Sequence, residues 1–168
     1  IGLVWSAGRH KAPQPERSAR VRDVPKQPFF ELAQRWRLRH RATLFSMQLE
    51  GNDEKPVQDL IQGGLLEQPL SSPNWQETAE VLESLDLLVS VDTSVAHLAG
   101  ALGIPTVLLL SAPADWRWGQ ISRKTFLYDS FRLVRCSVPG DWSQALKQAD
   151  LEVNNWLNSM SSNHQFAS

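Results

Sequence analysis

The sequence predicts an α/β domain with a doubly wound, Rossmann-like parallel sheet. Short apolar runs alternate with helical patterns along the whole chain. The runs at residues 86–91 and 106–110 are apolar with little polar alternation, as expected of strands buried on both faces. Between them Val95, Leu98, Ala99 and Leu102 recur at helical spacing, so the stretch reads as a compact strand, helix, strand unit.

The first strand is expected at residues 1–5. A polar loop follows over 6–23, in which Gly8 gives backbone freedom and two prolines oppose a helix. Neither GxGxxG nor GxxxxGK[ST] fits this loop. From Lys26 a helical stripe of Phe29, Leu32, Ala33 and Trp36 appears, with Arg35, Arg37, Arg39 and Arg41 crowding its end. Residues 43–49 form a second strand, and Gln48 and Glu50 at its carboxyl end are candidates for a ribose or base. A short helix over 53–61 and a weak strand over 65–70 precede a helix capped by Asn74, with Glu77 three residues on. Beyond residue 110 comes a loop with two tryptophans flanking Arg117. A last strand is expected over 131–136, and a helix then starts at Asp141 or Ser143. Residues 158–168, rich in Ser and Asn, are expected to be a disordered tail, which leaves 1–157 as one domain.

Composition narrows the function classes. The chain has 168 residues, 42% hydrophobic and 21% charged, with a formal net charge of −1. This is the balance of a soluble globular domain without nucleic-acid affinity, and no run approaches the ~18 apolar residues of a membrane span. The single cysteine, Cys136, excludes an internal disulfide and offers no metal cluster, so a cytoplasmic setting is expected. Ten of the seventeen Lys and Arg residues fall within residues 1–41. A basic segment on a neutral protein suits a small phosphorylated ligand, although a solvated basic face explains it equally well.

The polar mouth after residue 91 is the most informative feature. Asp92, Thr93 and Ser94 are capping types, Gly103 closes the helix and Pro105 prevents its continuation. At 100° per residue His97 points roughly 160° from the centre of the apolar set, into the first turn, where free amides and the helix dipole favour an anion.

These motifs carry a family resemblance. The pattern WSAG…H…RS, then SVDTSVAHLAGALGIPTVLLL, then DWRWG, then FRLVRC with PGDW behind it, resembles the C-terminal domain of glycosyltransferase family 9-like proteins. These are relatives of ADP-heptose:lipopolysaccharide heptosyltransferases, some of which carry tetratricopeptide repeats. The resemblance spans about residues 1–157. It implies the C-terminal half of a two-domain GT-B transferase, binding a nucleotide-diphosphate sugar without a metal or other cofactor and transferring with inversion. Asp92, Thr93, Ser94 and His97 would then meet the donor diphosphate. Gly8, Lys11, Arg17 and Ser18 would close over it, with Lys11 and Arg17 as alternatives, and Gln48 would lie near the nucleoside. The acceptor site and general base would belong to an N-terminal half, or the partner would be a repeat domain of a parent chain. Ile1 opens directly into a strand pattern with no initiating Met, so the chain is expected to be part of a longer one, inactive alone. Two other readings remain: a non-catalytic binding or interaction module with a transferase-like fold, and a different α/β nucleotide-using enzyme such as a sugar epimerase.

Overall fold

A computed structural model describes residues 1–8, 22–48, 54–70, 74–119 and 122–165. Five parallel strands form one sheet: β1 (Gly2–Val4), β2 (Phe45–Ser46), β3 (Leu88–Val91), β4 (Thr106–Leu110) and β5 (Phe131–Arg135), in the order β2-β1-β3-β4-β5. The pairing is in register across the centre, with Leu3 opposite Val89 and Val89 opposite Val107. Every residue of β1, β3 and β4 is buried, as their uninterrupted apolar character requires. The predicted α/β parallel architecture is therefore the one observed.

The helices are α1 (Lys26–His40), α2 (Lys55–Gln62), α3 (Trp75–Glu83), α4 (Ser94–Ala101) and α5 (Ser143–Gln165). On β4, Val107 and Leu109 join the main core, whereas Leu108 and Leu110 join a second cluster with Ala96, Trp118, Phe131 and Leu133. Strand alternation places these two sets on opposite faces of the sheet. The α1 and α5 helices are tied together by the Trp36 Nε1–H, which donates to Asp150 Oδ1 at 2.9 Å.

Local chemistry explains the boundaries. Asn74 Oδ1 accepts from the Glu77 amide at 2.9 Å, the expected cap of α3. The α4 helix ends in a Schellman motif: the Ile104 amide reaches Ala99 O at 2.9 Å and the Gly103 amide reaches Gly100 O at 3.1 Å, with Gly103 at φ +73°. Two expectations fail. The weak strand at 65–70 reduces to one bridge between Phe45 and Glu67. The tail expected to be disordered from residue 158 is helical as far as Gln165. Ser159, Ser161 and Ser162 donate their hydroxyls to the carbonyls of Trp156, Leu157 and Asn158, so side chains that compete with a helix in other settings are satisfied within it here.

The chain leaves β1 in one direction to make β2 and then returns to the other side of β1 to make β3. This reversal opens a crevice between the carboxyl ends of β1 and β3, the usual ligand position in open α/β sheets. Gln48, only 4% exposed, fixes the β1 side of it. Its Oε1 accepts from the amides of Trp5 and Ser6 at 3.2 and 3.1 Å, and its Nε2–H donates to Ser6 O at 3.0 Å. Replacing it by Leu strands these backbone groups, and Gln48→Leu is expected to lower unfolding free energy by about 2–4 kcal/mol in urea with little change in m-value.

Candidate functional site

The crevice is built from two strand ends and a later turn. After β1 the Ala7 amide donates to Asp23 Oδ1 at 2.9 Å, and the Val24 amide donates to Trp5 O at 3.0 Å. These bonds close the base of the first loop and bring Arg22 to the mouth. Gly8 adopts φ +78°, a conformation open to glycine, while its amide donates to Ser6 Oγ at 3.3 Å.

At the end of β3 lies Asp92, a carboxylate only 6% exposed. Arg22 Nη1 approaches its Oδ2 at 3.9 Å and His97 Nε2 its Oδ1 at 3.7 Å. Thr93 is the N-cap of α4, its Oγ1 accepting from the Ala96 amide at 3.3 Å. The amides of Ser94 and Val95, in the first turn, have no intrahelical acceptor and mark the positive end of the helix dipole.

His97 stands at the centre. Its ring stacks on Trp118, centroids 5.1 Å apart, and Trp118 stacks in turn on Phe131. The Tyr128 hydroxyl lies 3.0 Å from His97 Nδ1, and Arg117 Nη1 lies 3.5 Å from Nε2. The side chain is 30% exposed, off the main core as the helical wheel expects, and lies at the rim against aromatic rings. The wheel treats one apolar face, whereas α4 also borders the second cluster through Ala96.

The turn that carries Arg117 is held by hydrogen bonds at both ends. It is a single 3-10 turn, Trp116–Trp118, and its preceding residue Asp115 accepts from the Arg117 amide at 3.1 Å. The same carboxylate accepts from Arg117 Nη2 at 2.6 Å. From the end of β5, Arg135 Nη2 donates to Trp118 O at 2.5 Å. Trp118 is buried, whereas its neighbour Trp116 is 84% exposed.

The charges follow this geometry. Hydrogen bonds from the Arg117 side chain and amide pull Asp115 down to about 2, and the same bond raises Arg117. Burial holds His97 below its ordinary value; Asp92 opposes this, while the positive charge of Arg117 adds to it. The His97 ring is consequently held toward its neutral form, and an anion beside it would favour protonation.

Of the residues expected to bind donor, Asp92, Thr93, Ser94 and His97 lie together at the start of α4, while Gly8 follows the carboxyl end of β1 and bonds to Ser6. Gln48 borders the crevice, but its amide is engaged by backbone. Lys11, Arg17 and Ser18 lie outside the described residues. Arg22, one of the first-loop cations that the sequence offers to an anion, reaches the site, whereas no sequence signal marks Tyr128 or Gly100. Tyr128 is the one tyrosine of the chain and is separated from His97 by a strand and a turn, so no spacing signal links them. The contact depends on Gly100, where an added Cβ would lie 2.5–2.7 Å from Tyr128 ring atoms. Elsewhere, a cavity of about 400 Å³ opens near the amino ends of β4 and β5, lined in part by Pro105, Ser130, Arg132 and Trp156.

Fold and site together define a parallel α/β domain whose switch-point crevice gathers an open helix start, a histidine and two arginines around acidic partners. The model of glycosyltransferase family 9 (heptosyltransferase) matches residues 12–130, and the chain belongs to that family. No curated protein and no solved structure matches significantly.

Two variants probe this arrangement. Gly100→Ala forces the Tyr128 ring off α4; overpacking outweighs the gain in helix propensity, for a net loss of about 1–2 kcal/mol. The His97 titration midpoint, followed by NMR, then moves up toward its ordinary value as the ring becomes better solvated. Asp115 has a depressed pKa, so the stability it contributes is complete above its ordinary value of 3.8 and is lost as pH falls toward about 2. Asp115→Asn is expected to flatten that part of the acid limb when urea midpoints are compared at about pH 5 and about pH 2.5.

Proposed function

We propose that this domain binds the diphosphate of a nucleotide-sugar donor in the crevice between β1 and β3 and forms the donor half of an inverting glycosyltransferase. The observation that carries this reading is the start of α4 at the switch point, with His97 on its first turn and Arg22 brought across from the first loop. First-turn amides and cationic side chains there suit a diphosphate, and the family acts on glycosyl donors in general.

The reaction then runs as follows. An acceptor hydroxyl oxygen attacks the anomeric carbon while the bond from that carbon to the diphosphate oxygen breaks. The bonding pair goes to the diphosphate, and the hydroxyl proton goes to a base. By the resemblance, that base and the acceptor site belong to a second half of the enzyme. This domain stabilises the charge growing on the leaving diphosphate. Fixed amide dipoles and cations do so without reorganising at the moment of bond cleavage, which is where preorganised electrostatics contributes most. In this reading the protein's own cations take the charge-neutralising role, and no divalent ion is required. Protonation of His97 as the anion arrives adds a further positive charge.

A binding module without turnover is the competing reading, and Trp116, fully presented beside the mouth, is the feature that favours it. Calorimetric titration with ADP, UDP, GDP and inorganic pyrophosphate separates the two. Pyrophosphate and at least one nucleoside diphosphate are expected to bind, and His97→Ala weakens both by about 10- to 100-fold, the range of a lost charge-assisted contact. Wild-type affinity should increase as pH falls toward the lowered His97 pKa of the free domain, because anion binding raises that pKa. Absence of heat for all four ligands overturns the donor reading.

A further inference from the structure

We infer that Arg117 is a second diphosphate ligand, delivered to the leaving group by the Asp115–Trp118 turn from the side of the crevice opposite the first loop. The inference rests on the donor reading above and names a residue which that reading does not need.

Arg117 sits where a leaving group would be. Its Nη1 is 3.5 Å from His97 Nε2, and the negative field of the buried Asp92 carboxylate stabilises its charge. Arg22 approaches the same carboxylate from the first loop and also bears electrostatically on Asp115. Two guanidinium groups from different parts of the chain therefore flank one helix start. Like charges brought together beside a neutral-leaning histidine are unfavourable unless something negative offsets them. Asp92 and Asp115 do so here, and a bound diphosphate would draw a further positive charge from His97 by favouring its protonation.

The guanidinium has donors to offer. Arg117 is 39% exposed, and a guanidinium carries five N–H groups in a fixed fork. Asp115 takes one from Nη2 and Nη1 lies at the edge of contact with His97, so the fork retains capacity toward the mouth. Arginine forks match phosphate oxygens in pairs, which a lysine at this place would not.

The platform is preorganised. Asp115 caps the turn, Arg135 grips the Trp118 carbonyl, and Trp118 is locked between His97 and Phe131. Few rotamers remain to be frozen when an anion binds, so more of the interaction survives as affinity. This arrangement also accounts for the alternation in Asp115-Trp116-Arg117-Trp118. One tryptophan is buried as an anchor, and the acid orients the base that it flanks.

Pyrophosphate titrations of wild type, Arg117→Ala, Arg117→Lys and Arg132→Ala test the inference, since Arg132 lies at the other end of the sheet. Arg117→Ala is expected to weaken pyrophosphate binding by about 10- to 100-fold, with Arg117→Lys intermediate and Arg132→Ala unchanged. Binding of unphosphorylated adenosine, uridine or guanosine should not depend on Arg117. Near-ultraviolet circular dichroism, to which Trp118 contributes with the other buried tryptophans, checks that aromatic packing is intact, and Arg117→Lys supplies a milder variant if it is not. If wild type binds pyrophosphate and both Arg117 variants bind it equally well, the inference is overturned and the donor reading stands. If wild type does not bind pyrophosphate, both fall.

Discussion

A carboxylate buried at the end of a central strand constrains everything around it. Asp92 is nearly removed from water, and an unpartnered charge there would cost several kcal/mol. Its partners come from three separate parts of the chain: Arg22 from the first loop, His97 from α4, and the field of Arg117 from the turn after β4. Compensating one charge thus draws three segments to the same crevice. The structure has little freedom to place them elsewhere, and the crevice acquires its cationic rim as a consequence.

The aromatic cluster serves the same end by different means. Trp118, Phe131 and Tyr128 pack against each other and against His97, filling the sheet face next to α4. This gives the imidazole a solid wall on one side and leaves its Nε2 edge toward the charged groups. A glycine at position 100 makes the wall possible, because any side chain would displace the Tyr128 ring. Packing therefore sets which ring nitrogen faces the crevice, and electrostatics sets how readily it takes a proton.

Much of this was legible in the sequence, for physical reasons. Strands buried on both faces leave unbroken apolar runs, and β4 falls at residues 106–110 as its run indicates. Capping residues mark helix starts because they satisfy free amides, and both Asn74 and Thr93 do so. Long-range pairings were not legible. Tyr128 meets His97 only after β5 has been laid beside β4, and Arg22 meets Asp92 only once the first loop has closed. Gln48 reads as a polar strand end facing a ligand; its amide also supports the backbone of Trp5 and Ser6, a role that depends on which loop lies next to β2. The C-terminal residues mislead because Ser and Asn signal disorder by composition, whereas a helix already under way can take up serine hydroxyls on the carbonyls of its preceding turn.

In the donor reading, charge compensation around Asp92 makes a diphosphate site at the start of α4. A crystal structure of the domain with a bound nucleoside diphosphate tests it most directly. The account predicts the β-phosphate oxygens within hydrogen-bonding distance of the first-turn amides of α4 and of His97 Nε2, with the Asp92 carboxylate still paired behind them. A diphosphate bound instead in the cavity beside Ser130 and Trp156, with the α4 start untouched, would contradict it.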